Sequence, residues 1–149
     1  MIYIIGVGIT FFLSLILLTK KEKSIADNIL FVWLCVILVH LSLFAMISSE
    51  EFLRFPFLLG LEIPIPLLHG PFLLLYTTSL TNGQIRPKQL FHFIPFALAL
   101  ITILPFIIRN EPDKIKIYQS GGEAYATQIG TIFVGILLSG FTYIILALR

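Results

Sequence analysis

Apolar residues along this chain come in long blocks separated by short polar breaks. The first block runs from Ile2 to Leu18, seventeen residues without a charge, and ends at Thr19-Lys20-Lys21-Glu22-Lys23. About 20 apolar residues cross a hydrocarbon core, and 17 is near the lower limit, so residues 2–18 are expected to form a first transmembrane helix. A cleaved signal peptide carries its basic residues ahead of the apolar run and small residues at a cleavage site behind it. Here the basic residues come after the run, which predicts an uncleaved span with its N-terminus outside. Ser24-Ile25-Ala26-Asp27 has the Ser-x-x-Asp pattern of a helix start, and a second span follows over residues 29–47 before Ser48-Ser49-Glu50-Glu51 closes it.

The third block is punctuated by proline. From Phe55 the chain reads FPFLLGLEIPIPLLHGPFLLLYTTSL. Pro64 and Pro66 suit a helix's first turn, where the missing N–H has no partner, so a helix is expected over 64–80. Pro71 lies inside it, and together with Pro64, Pro66 and Gly70 marks a kink that the membrane tolerates when neighbours satisfy the freed carbonyl. Thr81-Asn82-Gly83 reads as a turn and Arg86-Pro87-Lys88 as a basic loop. A fourth span is expected over 90–108, with His92 near its start and Pro95 and Pro105 within it. Residues 109–128 are polar and contain Gly121-Gly122; they read as a loop with one helical turn after Pro112. A fifth span covers 129–148. The expected fold is an all-α polytopic transmembrane helix bundle of about five spans, in a single domain over residues 1–149.

Composition supports that picture. Hydrophobic residues make up 58% of the chain and charged ones 12%, with a mean hydropathy of +1.00. A soluble domain carries roughly twice that share of charge, and too little polar surface is left here to cover a water-facing fold. A net charge of +2, scattered along the chain, excludes nucleic acid as an expected direct partner. The single cysteine, Cys35, lies in an apolar run and is read as a small buried hydrophobe. Orientation follows the lysines and arginines. With the N-terminus outside, Lys20, Lys21, Lys23, Arg86, Lys88 and Arg149 face the cytoplasm, against Arg54, Arg109, Lys114 and Lys116 outside.

Polar groups within membrane segments are functional candidates because they are costly to bury there. His40, Glu62, His69 and His92 form this set, and Glu62, His69 and Tyr76 recur every seven residues. One reading places Glu62, His69, Tyr76 and His40 around a polar pocket near the outer face that contacts a ligand or senses protons. The other has Glu62 capping a helix end near the positive end of its dipole, His69 bonded to a backbone carbonyl, His40 bonded across helices and His92 at the interface. The residue spacing matches no metal site, no cofactor motif and no catalytic motif. Small residues recur every four positions on two spans, at Gly6, Thr10 and Ser14 and at Thr131, Gly135 and Ser139. Such stripes pack helices closely, either within this chain or against helices outside it, self-association included.

The run PLLHGPFLLLYTTSLT (Pro66–Thr81), the basic loop and LFHFIPF (Leu90–Phe96) after it, and TKKEKSIADNIL between the first two spans form an ordered series. This series resembles the N-terminal membrane-spanning region of membrane-anchored AraC-type transcriptional regulators of Bacteroidetes-like bacteria. The resemblance implies an inner-membrane module of about seven helices ahead of a cytoplasmic helix-turn-helix domain. Residues 1–149 contain no such domain, so the expectation is a truncated front part that does not itself bind DNA. The expected function is a sensory input module; the alternative is a small multi-pass transporter or channel component.

Overall fold

The structure, a computed structural model, describes residues 2–82 and 85–148. Gly83 of the expected turn and Arg149 fall outside the described residues. Every regular element among those described is helical. The α-helices are α1 (Ile2–Thr19), α2 (Ile25–Ser48), α3 (Pro66–Asn82), α4 (Ile94–Ile107), α5 (Glu111–Gln119) and α6 (Ala126–Ala147). Among the described residues four helical stretches are long and apolar enough to cross a membrane: Ile2–Thr19, Ile25–Ser48, Pro87–Ile107 and Glu123–Ala147. Their outward faces are apolar, with Phe12 63% and Phe141 70% exposed, as expected for surfaces solvated by lipid rather than water.

α1 lies along α2. Its stripe of small residues faces that helix: a Cβ on Gly6 would sit 3.0 Å from a Leu41 methyl carbon, and Thr10 and Ser14 are both buried. The Ser14 hydroxyl donates back to the Thr10 carbonyl at 2.8 Å, so that hydroxyl is not left unpaired in lipid. Tyr3 stacks on Phe44 with ring centroids 5.5 Å apart. Between the two helices Ser24 closes a capping box: its hydroxyl accepts from the Asp27 N–H, and the Asp27 carboxylate accepts from the Ser24 N–H. Lys20 then pairs with the same carboxylate at 2.7 Å, fixing the turn between the two helices.

α3 is the central helix. No residue from Pro66 to Ser79 is exposed, and Leu67, Pro71, Leu75 and Ser79 are buried at every fourth position. It packs on α2 on one side and α6 on the other. At 17 residues it is shorter than its four apolar neighbours. It starts at Pro66 rather than Pro64, because residues 60–65 form tight turns. Gly60 has φ +93°, and the amides of Leu67 and Leu68 bond three residues back, to the carbonyls of Pro64 and Ile65.

Two further boundaries differ from expectation. Pro95 does not interrupt a long fourth helix but sits in the first turn of α4, after a 3₁₀ stretch over Pro87–Phe93. A proline suits that first turn because its missing N–H has no intrahelical partner there. Residues 111–119 form a full nine-residue helix rather than one turn. Asn110 caps it, its side-chain oxygen accepting from the Asp113 N–H at 3.2 Å. Pro112 in the first turn and two acidic residues at the positive end of the dipole support it. Gly121 and Gly122, at φ +79° and +75°, then turn the chain into α6.

The segments 49–65 and 109–125 meet at one end of the bundle and form a cap. Phe52 and Leu59 from the first segment and Tyr125 from the second join Ile103 and Phe106 of α4 and Ile132 of α6 in one buried cluster. A Cβ on Gly60 would overlap the Phe106 ring, so glycine at that position brings backbone and ring together. α6 meets α3 through Tyr143 and leaves its small residues largely free. Thr131 is exposed, and nothing lies within 4 Å of a Cβ on Gly135. Ser139 is half-buried.

Candidate functional site

Polar chemistry gathers at three places. The first is a side-chain chain crossing from α2 to α3. The Trp33 indole N–H donates to His69 Nδ1 at 3.2 Å, and His69 Nε2 lies 3.2 Å from His40 Nδ1. An indole can only donate, so His69 Nδ1 must accept and its proton sits on Nε2. That N–H then donates to His40 Nδ1, which places the His40 proton on its Nε2. This last atom is buried and has no partner among the described residues. Three side chains therefore form one directed series of hydrogen bonds ending in a buried free donor. Phe72 and Phe44 pack beside Trp33 and His40 and shield the series.

The second place is the cap. Lys114 is 1% exposed. Its ammonium donates to the Phe57 carbonyl at 3.1 Å and to the Ile107 carbonyl at 3.2 Å, and lies 5.6 Å from the centre of the Phe106 ring. It thereby fastens α5 to both the 49–65 segment and the end of α4. Glu62 is buried nearby, its carboxylate accepting from the Gly60 N–H at 2.8 Å. The two side chains feel each other's charge without reaching ion-pair distance. Burial lowers the Lys114 ammonium below its ordinary value, opposed by Glu62 and Glu111. Beside this pair lies a cavity of about 310 Å³ walled by Ile63, Phe106, Tyr118, Tyr125 and Ile129, with Gly121-Gly122 at its edge. Its size is at the lower end for small-molecule sites.

The third place joins α6 to the 3₁₀ stretch before α4. The Tyr143 hydroxyl donates to the His92 carbonyl at 3.1 Å and lies 3.0 Å from His92 Nδ1, so that nitrogen carries the proton. His92 is thus held by a tyrosine 51 residues away.

The sequence-predicted set divides between these places. His69 and His40 come together; His69 bonds to two side chains and not to the backbone carbonyl expected. Glu62 stands apart from them, because the turns over 60–65 take it off the helical stripe that a seven-residue spacing implies. It bonds back to Gly60 and does not cap α3. Tyr76 is half-buried on α3 and has no side-chain hydrogen bond among the described residues. Trp33, Lys114 and Tyr143 were not among the expected site residues. Trp33 had a signal, as the one indole N–H in an apolar span. Lys114 had none, since a lysine in a polar segment reads as solvated.

Among the described residues no three His, Cys, Asp or Glu side chains converge as a metal-binding group. Comparison of the chain with protein-family models, curated proteins and solved structures finds no match.

Proposed function

We propose that this chain is the membrane-embedded sensory input module of a bacterial AraC-type transcriptional regulator. The observation that carries this reading is the Lys114 fastening. Lys114 is a joint whose release would free α5 from the 49–65 segment and from the end of α4. A buried cation without a paired carboxylate is costly, which lowers the free energy needed for that release. Movement there reaches α4 and α6 directly and α3 through the turns at 60–65. The PLLHGPFLLLYTTSLT and LFHFIPF runs supply the link to AraC-type regulators.

In this reading α3 is a fifth crossing. Its 17 residues span about 26 Å at 1.5 Å per residue, and the turns ahead of it make up the remainder of a hydrocarbon core. The cap faces outward, the N-terminus is outside, and the protein sits in the inner membrane. The open small-residue face of α6, with Thr131 and Gly135, is where further helices of a seven-helix module or a second copy pack. The decisive test is the DNA sequence after the codon for Arg149. A continuous helix-turn-helix frame supports the proposal, and its absence overturns the AraC assignment. A reporter fused after Arg149 that is active only outside the cell overturns the orientation.

A second reading, a small transporter or channel component, draws on the hydrogen-bonded series from Trp33 to His40 within the membrane. Solute flux through vesicles containing the purified chain, abolished by His69→Phe, would favour it.

A further inference from the structure

Three cavities adjoin along α5 and α6, and their walls change character with depth. The outermost, about 310 Å³, is lined by Arg109, Asp113, Lys116, Ile117 and Ser120. Ile117 is shared with the aromatic cavity beneath the cap, also about 310 Å³. Ile63 and Ile129 are shared in turn with a third, of about 280 Å³, walled by Phe44, Pro66, Phe133 and Ile136. Glu62 also lines this last one, but its carboxylate is turned back onto the Gly60 N–H. Ile136 lies ten residues into α6, about 15 Å below its start at 1.5 Å per residue. The series therefore runs from the polar rim of the cap to well inside the apolar part of the bundle.

Charge at the rim is unbalanced. Arg109 uses its Nε–H on the Tyr125 hydroxyl at 3.0 Å, which leaves the two terminal nitrogens of the guanidinium fork free for a ligand. Neither Arg109 nor Lys116 has a carboxylate within ion-pair distance among the described residues. Asp113 lines the same rim and offsets one of the two charges. A planar guanidinium beside an ammonium suits a carboxylate or phosphate oxygen. Below it, Tyr118 and Tyr125 present rings, and the floor presents only hydrocarbon walls apart from Glu62. A wholly polar ligand leaves the deep part dry and unfilled, while a wholly apolar one makes no use of the rim.

We infer that the chain binds a single-chain amphiphile with an anionic head, the head at Arg109 and Lys116 and the tail passing Tyr118 and Tyr125 toward Phe133 and Ile136. Its role as the signal rests on the sensor reading above; the binding site itself stands without it. Ile63 and Ile129 line both the second and the third cavity, so the tail passes along their side chains. The Gly122 roof helps, since a Cβ there would lie 3.2 Å from the Ile129 side chain.

The test uses the whole chain in nanodiscs of neutral phosphatidylcholine, with a diazirine-bearing laurate as the photoreactive probe. Labelled peptides are expected from residues 60–66 and 129–136. Laurate, dodecyl phosphate or both should displace the probe, with dodecanol at least about tenfold weaker, the ratio that loss of one charge-assisted contact produces. Displacement by laurate alone identifies a carboxylate head and by dodecyl phosphate alone a phosphate head. The double variant R109Q/K116Q should weaken the anionic competitors about tenfold and leave dodecanol unchanged. If that variant loses its helical circular dichroism, K116Q alone should show the same preference in smaller degree. Labelling spread over the exposed faces of α1 and α4, equal competition by dodecanol, or indifference to the rim variants would each overturn the site. Labelling confined to 60–66 and 129–136, with no helix-turn-helix frame after the codon for Arg149, would overturn the sensor reading and leave the site standing.

Discussion

The ring of Tyr143 on α6 occupies the space that Gly70 on α3 leaves by having no side chain. A Cβ on Gly70 would overlap that ring. The same tyrosine reaches past α3 to His92 with its hydroxyl. One side chain thus sets both the approach of α6 and the anchoring of the segment ahead of α4. Without a hydrophobic drive between helices in lipid, such contact geometry is what holds them in register.

Gly70→Ala is expected to destabilise the protein by about 1–3 kcal/mol, the usual range for overpacking. Tyr143→Phe keeps the ring and loses only the bonds to His92, so its expected cost is smaller, about 1 kcal/mol. Thermal unfolding in a mild detergent, followed by helical circular dichroism, orders the two. A Gly70→Ala protein as stable as the wild type would refute the contact.

The direction of the Trp33, His69 and His40 hydrogen bonds fixes both histidine tautomers. Imidazole ¹⁵N spectra should show each ring neutral, with its proton on Nε2. Trp33→Phe removes the indole donor and should let His69 populate the other tautomer. Finding the His69 proton on Nδ1 in the wild type would show that the series does not run in this direction.

Lys114→Met keeps most of the side chain's bulk and removes the ammonium that bridges Phe57 and Ile107. Two buried carbonyls lose their donor, an expected cost of about 1–3 kcal/mol each, offset in part by no longer burying a charge. Proteolysis within 109–125 should become faster while the helices stay intact. Equal resistance to protease would mean the apolar cluster alone holds the cap.

Ser24→Ala removes the acceptor for the Asp27 N–H, and about 1 kcal/mol of stability should go with it. The loss should appear as faster exchange in the first turn of α2 alone. This cap was legible in the sequence, because a capping box is a local pattern whose partners lie three residues apart.

The helical class, the apolar blocks and the polar breaks between them were readable for the same reason. Hydrophobicity over a span length and the residues that start helices act within one or a few turns. The nine-residue α5 was under-read, although Asn110, Pro112 and the acidic first turn were all local signals of a helix start. The candidate site was different. Glu62 and His69 share a spacing but not a place, since the tight turns over 60–65 hold Glu62 off the helix that carries His69. Lys114 lies 57 residues from the Phe57 carbonyl that it binds, and Tyr143 lies 51 from His92. Nothing along the chain encodes such pairs one residue at a time. By itself the sequence determined what lipid and local backbone chemistry require of each segment. Which buried polar groups met, and which small residues received a neighbour's ring, was decided only when packing brought distant segments within hydrogen-bonding range.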